Sequence, residues 1–267
     1  DSKRISTLEY FQNLKELYKV QLKNRKYDLV LVVDRFAFDF VVENYNELFK
    51  DELILSVGIE NFDKQRLKKY NLENKVSALL EKRDLKANVK LIETIIPSIK
   101  KLYVINDKSE NAKHTEPLIK ELFDDFEGKY ELIYLREDSL KALEKRFSKF
   151  EENSALLFVR FYKNSNGELN KNQEIAKFIN DAKVPIFITD SIFNKKGAIG
   201  GKIVELEKFG NSSGQMALDI LENKKSIVKL SEDFSYVFDA LKLDNFTLSI
   251  SQINHDYEVV NKRITFY

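Results

Sequence analysis

The chain contains no cysteine, which excludes a disulfide framework and any zinc site built on thiolates. The lack suits a periplasm and a cytosol alike, so cysteine usage assigns no compartment. Histidine is nearly as scarce. His114 and His255 lie far apart, lack HExxH spacing and read as surface residues. No stretch approaches the roughly 20 apolar residues that a membrane span requires, and no signal peptide opens the chain. An excess of one charge is missing too: 44 Lys and Arg against 43 Asp and Glu leave a net charge of +1. No bulk field therefore draws the chain to nucleic acid or lipid. Basic runs such as Lys23-Asn24-Arg25-Lys26 have acidic residues interspersed nearby and read as solvated faces. No glycine-rich phosphate loop occurs, and Ser212-Ser213-Gly214 lacks the flanks of a nucleophile elbow and reads as the opening of a helix. The carboxylate pairs Asp124-Asp125 and Glu151-Glu152 read as solvated helix ends, not as an acid/base dyad. Nothing here argues for an enzyme, a metal or a cofactor.

What is present is the composition of a folded protein: 267 residues that are 43% hydrophobic and 12% aromatic can bury one large core or two modest ones. Short apolar runs alternate with helical patterns from end to end. Tyr27–Asp34, Leu53–Gly58, Leu102–Asp107, Ala155–Arg160 and Pro185–Asp190 are continuous, largely aliphatic runs that suit strands buried on both faces of a parallel sheet. Helical spacing occupies Ser6–Leu22, Phe36–Phe49, Val89–Ile99, Glu110–Phe126, Leu140–Phe150, Lys171–Ala182 and Gly210–Asn223. Such alternation with short connections means βαβ units, so the fold class is α/β with doubly wound parallel sheets. Two breaks interrupt the series. Between Gly58 and Leu102 only Val76–Leu80 resembles a strand, and after Asp190 the periodicity lapses where Gly197, Gly200 and Gly201 cluster. Two sheets joined by more than one crossing account for both breaks; a single long sheet with a lid is the alternative.

Ligands of open α/β sheets sit at the carboxyl ends of the strands. Those ends carry Asp34-Arg35-Phe36, Asn61, Asn106-Asp107 with Ser109, Arg160-Phe161 and Asp190-Ser191. Aromatic walls with a few fixed polar groups are what a small-ligand cleft requires, and Arg35 and Arg160 can each fork onto a carboxylate. The competing reading is that Asp34, Asp107 and Asp190 cap the helices that follow them.

The segments Asp34–Phe40, Asn46–Phe49 and Val57–Phe62 resemble one family: the ABC-transporter substrate-binding-protein-like domain that serves as periplasmic sensor of bacterial histidine kinases and diguanylate cyclases. Tyr103–Asp107 is similar to the first strand of that family's second lobe, and Gly197–Lys202 to its return crossing. Gly210–Leu221 is similar to the next helix, Tyr236–Asp239 to the last crossing and Asn261–Tyr267 to the juxtamembrane tail. The resemblance implies a type I periplasmic-binding-protein fold: two lobes, residues 1–83 with 199–230 and 84–198 with 231–267, with a small molecule in the cleft between them. It also implies closure on ligand, a periplasmic location, a membrane tether in the full-length receptor and a homodimer. The alternative of the same fold is a solute-binding protein of an ABC transporter. Two departures stand out. The family's first strand–helix–strand unit has no counterpart before Asp1-Ser2-Lys3-Arg4, so the run Leu29–Val33 is expected at an unpaired sheet edge, poised for self-association. The loop Ser191–Lys196 carries lysines where the family has a His-Gly-like turn.

Overall fold

The computed structural model describes residues 7–136, 139–164, 167–223 and 225–263. In chain order the elements are α1 (Leu8–Leu22), β1 (Leu29–Val33), α2 (Asp34–Leu48), β2 (Leu53–Ile59), α3 (Lys64–Lys69), β3 (Val76–Leu80), α4 (Leu85–Ile95), β4 (Lys101–Ile105) and α5 (Glu110–Asp125). There follow β5 (Glu131–Leu135), α6 (Leu140–Arg146), β6 (Ser154–Phe158), α7 (Asn172–Asp181), β7 (Ile186–Ile188), a single 3-10 turn at Ser191–Phe193 and β8 (Gly200–Val204). The chain ends with α8 (Leu206–Asn223), β9 (Val228–Leu230), β10 (Phe234–Asp239), α9 (Ala240–Asn245) and β11 (Tyr257–Val260). It divides into two compact units, Asp1–Lys82 with Glu207–Asp233 and Arg83–Leu206 with Phe234–Tyr267, so it passes from one to the other three times.

The first unit holds a parallel sheet in the order β1-β2-β3-β9. Successive strand side chains face opposite ways, and the two faces are covered by different helices. Val32, Ile54, Val76 and Ala78 pack with Phe38, Val41, Val42 and Tyr45 of α2 and with Leu67 of α3. Leu55, Val57 and Leu79 pack with Phe209, Met216 and Ile220 of α8. Helix α1 starts at Thr7, whose Oγ1 accepts the Tyr10 N–H at 3.2 Å. Its Phe11, Leu14, Tyr18 and Leu22 recur at helical spacing and rest against the α2 side of the core. Ser212-Ser213-Gly214 lies inside α8, which begins earlier than its glycines suggest.

The second unit holds a larger sheet, β11-β10-β8-β7-β6-β4-β5. Its inner strands β7 and β6 are buried at every residue. One face packs on α6 and α7 through Leu143, Phe147, Ile175 and Phe178. The other packs on α4, α5 and α9 through Val89, Ile92, Ile119, Leu122 and Leu243. The sheet is not wholly parallel, because β10 runs antiparallel to β8. The sequence places residues 199–206 in the first lobe, whereas here Gly200–Val204 is a strand of the second unit's sheet. The glycines that look like a break are what admits this strand. At Gly200, φ is +120° and a Cβ would stand 1.8 Å from the Val237 carbonyl oxygen, so only glycine lets β8 approach β10.

Candidate functional site

In the first unit, the end of β1 turns directly into α2 at Asp34, which has φ +75°. The N-cap position of this helix is Val33, whose aliphatic side chain makes no cap hydrogen bond, and Asp34 is the first residue inside the helix. Arg35 reaches forward along the helix to Asp39, with Nε 3.0 Å from Oδ1, and its Nη1 donates to the Asn61 carbonyl oxygen at 3.2 Å. Asp39 also receives Arg66, which bridges on to Glu43 at 2.9 Å. Arg35 thus ties the first turn of α2 to the loop after β2. Asn61 is exposed and takes part through its backbone. Phe36 stacks on Phe11 of α1, with ring centroids 6.1 Å apart, and packs within the unit.

In the second unit the candidates form two connected clusters at the carboxyl ends of β4, β6 and β7. Asp107 is fully buried. One of its carboxylate oxygens accepts the Ser109 N–H at 2.8 Å, and the other accepts the Tyr162 and Lys163 N–H groups, the latter at 2.9 Å. A carboxylate can stay this deep because three backbone donors replace its water; it clamps the loop after β4 to the loop after β6. Ser109 caps α5, its Oγ accepting the Ala112 N–H at 3.2 Å. Asn106 Nδ2 donates to the Ala112 carbonyl at 3.1 Å and to Tyr134 Oη at 3.2 Å, while its buried Oδ1 has no protein donor. Arg160 is also buried, and its Nη1 donates to Thr115 Oγ1 at 3.1 Å. Phe161 belongs to the hydrophobic core, which corrects its assignment as an aromatic wall. An aliphatic-rich sheet face draws in a large ring more strongly than an open groove does.

The second cluster centres on Asp190. Its Oδ1 accepts the Ile192 N–H at 3.1 Å, capping the 3-10 turn as the competing reading requires, and its Oδ2 pairs with Arg83 at 2.8 Å. Arg83 Nη1 also donates to the Val159 carbonyl at 2.9 Å and to Thr189 Oγ1 at 3.2 Å. Ser191 Oγ accepts the Leu206 N–H at 3.2 Å. Arg83, Thr115 and Thr189 were not singled out from the sequence. Arg83 sits in the charged run Glu81-Lys82-Arg83-Asp84, which reads as a solvated face, and only its position just after Val76–Leu80 hints otherwise. The outcome is a pair of buried guanidiniums and hydroxyls at strand ends, an arrangement suited to recognising a polar or anionic group. Among the described residues no cluster of acidic or histidine side chains suits a metal.

A separate apolar cavity of about 580 Å³ lies in the first unit between α1, β1 and α2. Tyr10, Phe11, Leu14, Tyr18 and Phe40 line it together with every residue of β1. Of the candidate residues only Phe36 borders it.

A family model described as ABC transporter substrate binding protein matches residues 58–237. Among solved structures, the chain is similar to an ABC domain in complex with L-Trp from Streptococcus pneumonia, at 15% identity and a TM-score of 0.65, covering 94% of this chain and 86% of that one. It is similar to the ligand-free, open structure of a substrate binding protein with adhesive properties from Clostridium difficile, at 17% identity and a TM-score of 0.65, covering 95% and 84%. A conserved domain protein from Vibrio cholerae gives 15% identity and a TM-score of 0.67, covering 93% and 83%. No curated protein matches the sequence.

Proposed function

Because this chain belongs to the ABC transporter substrate binding protein family, we propose that it is an extracytoplasmic solute-binding protein that captures a small molecule for transport. The carrying observation is the family match across residues 58–237, which spans every candidate residue except those at Asp34–Phe36. A family of substrate-binding proteins makes the chain a binder and not an enzyme. The same match favours the transporter reading over the membrane-tethered receptor expected from the tail, whose residues 264–267 lie outside the described ones. Among the described residues no helix is long and apolar enough to cross a membrane.

In this reading Arg160 and Asn106 contribute polar contacts to the ligand, while Asp107 holds the loop after β6 and Asp190 holds Arg83. A buried guanidinium supported by the hydroxyl of Thr115 fits an anionic group such as a carboxylate. The complex of a similar structure with L-Trp makes amino acids the first class to try. A thermal-shift screen of amino acids, organic acids and sugars tests the proposal, since a ligand of the folded state raises the melting temperature by mass action. A carboxylate-bearing ligand is expected to shift it, and Arg160→Ala to weaken that ligand by about 2–5 kcal/mol. A ligand whose affinity survives Arg160→Ala unchanged removes Arg160 from the site. A membrane span and a kinase or cyclase domain after Tyr267 in the full gene would restore the receptor reading.

A further inference from the structure

The chain enters or leaves the second unit at three places, Arg83, Leu206 and Phe234, and one side chain of that unit draws the segments there together. Lys202 of β8 pairs across the sheet with Tyr236 of β10. Its Nζ stands 2.7 Å from Asp84 Oδ2. It also lies 5.0 Å from the centroid of the Phe234 ring, close enough for an aromatic face to attract an ammonium. Asp84 lies one residue past the first passage, Phe234 opens the third, and β8 itself runs on into the second.

The backbone of Lys202 is held as firmly as its ammonium. β8 pairs with β7 at Gly200, and two residues further on the side chain of Asn88 takes the place of a neighbouring strand. Asn88 Oδ1 accepts the Lys202 N–H at 2.9 Å, and its Nδ2 donates to the Lys202 carbonyl at 2.8 Å and to the Asp84 carbonyl at 3.0 Å. An amide turned the other way would set its oxygen against two carbonyls, so the neighbours fix this orientation. Asn88 is fully buried, and a Cβ at Gly201 would stand 2.6 Å from its Oδ1, so glycine leaves it the room. An ion pair and a reciprocal amide pair thus fasten the start of α4 to β8.

Little chain is left between the anchored residues. On the first passage, the Glu81 N–H donates to the Ile59 carbonyl at 3.0 Å within the first unit, and Arg83 is already paired with Asp190 in the second. On the third, Asp233 accepts the hydroxyls of Ser231 and Ser212 at 2.6 and 3.0 Å in the first unit, and the next residue is Phe234. On the second, the Leu206 N–H is held by Ser191 and Phe209 belongs to the first unit's core. We propose that Lys202 is a positioning residue for solute capture. By clasping Asp84 and Phe234 to β8 it fixes the passages within the second unit, and it confines bending to Lys82, Glu207, Lys208 and the Asp233–Phe234 bond. Closure draws on such short hinges, and a ligand gains affinity only from the fraction of molecules competent to close on it. Passages that shift independently lower that fraction. For capture, this inference rests on the solute-binding reading; the clasp itself does not.

The absence of cysteine from the chain permits a direct test. Spin labels on Lys68→Cys and Lys145→Cys, exposed positions in the first and second unit, report the spread of distances between the units in the ligand-free chain. Lys202→Met is expected to widen that spread with an unchanged far-UV circular dichroism spectrum. Asp84→Asn is expected to widen it similarly, since asparagine still caps α4 while the ion pair is lost. The two together are expected to add little to either alone, as for partners in one contact. Lys202→Arg, which keeps the charge, is expected to retain the original spread. Lys86→Met, which removes another ion-paired lysine of α4, is expected to leave it unchanged. The proposal is overturned if Lys202→Met and Asp84→Asn leave the spread as it was, if Lys86→Met widens it as much, or if Lys202→Arg widens it like methionine. The spread is read without solute, so a chain that binds none removes the solute-binding reading and leaves this test decisive. With a ligand in hand, Lys202→Met is expected to weaken it and Lys202→Arg to keep its affinity; equal affinity in both would detach the clasp from capture.

Discussion

Asp190 and Arg83 carry the heaviest local stakes at the scale of single residues. Both side chains are almost inaccessible, at 7% and 6%, and they meet at 2.8 Å. Removing one partner strands the other's charge in a poorly solvated site, which costs about 3–5 kcal/mol. Asp190→Leu and Arg83→Met are therefore each expected to lower the urea midpoint strongly. The double variant Arg83→Met, Asp190→Leu is expected to recover part of the loss, because no uncompensated charge remains; a loss equal to the sum of the two singles would contradict this account. The sequence flagged Asp190 because it ends an aliphatic run, and that position is local information. It could not flag Arg83, whose partners Val159, Thr189 and Asp190 lie 76 to 107 residues away. Asn106, Asp107 and Ser109 were readable as a strand-to-helix turn, whereas the bond from Asp107 to the loop after β6 depends on β4 and β6 being neighbours.

For the elements, glycine separates two roles that look alike in sequence. Gly200 in β8 faces the β10 backbone at a distance no Cβ can occupy, at φ +120°. Gly214 lies in α8 with open space where a Cβ would go. Gly200→Ala is expected to disrupt the β8–β10 pairing and to cost several kcal/mol, well beyond the usual range of about 0.5–3 kcal/mol for point substitutions. Gly214→Ala is expected to stabilise by about 0.5–1 kcal/mol, the cost of a glycine in a helix interior relative to alanine. Thermal melting of both variants checks the contrast, and equal effects would refute it. Strands that are continuous aliphatic runs, such as β2, β4 and β6, were legible from pattern alone. β5, β8 and β9 were not: β5 is half-exposed, β8 opens on two glycines, and β9 is three residues of a lysine-bearing edge. Each is a strand because of its neighbour, which local periodicity does not contain.

The whole molecule shares a liability at high pH. Burial raises the pKa of Tyr45 to about 12, with the Glu52 and Asp51 charges adding to it, and burial also raises Tyr103, Tyr130 and Tyr134. In each case the folded protein holds the phenolic proton more tightly than the unfolded chain does. This contribution is fully present below about pH 10, the ordinary tyrosine value, and is lost as pH rises through the folded value. Between those limits each such tyrosine lowers stability by up to about 1.4 kcal/mol per pH unit. Denaturation midpoints followed from pH 9 to 12 are expected to fall progressively, and Tyr45→Phe to lessen the slope between pH 10 and 12. A flat profile over that range would show that the phenols ionise without unfolding.

The α/β class, most helices, the buried strands and the strand-end positions of Asp107, Arg160 and Asp190 were determined by the sequence itself, because alternation and aliphatic runs are local consequences of side-chain chemistry. Tertiary structure alone decided which strands are neighbours, that β8 belongs to the second sheet, that Phe161 is core, and that Arg83 closes on Asp190. Those outcomes depend on contacts between residues far apart in the chain. Their energy comes from excluding water between surfaces that exist only once the sheets have formed.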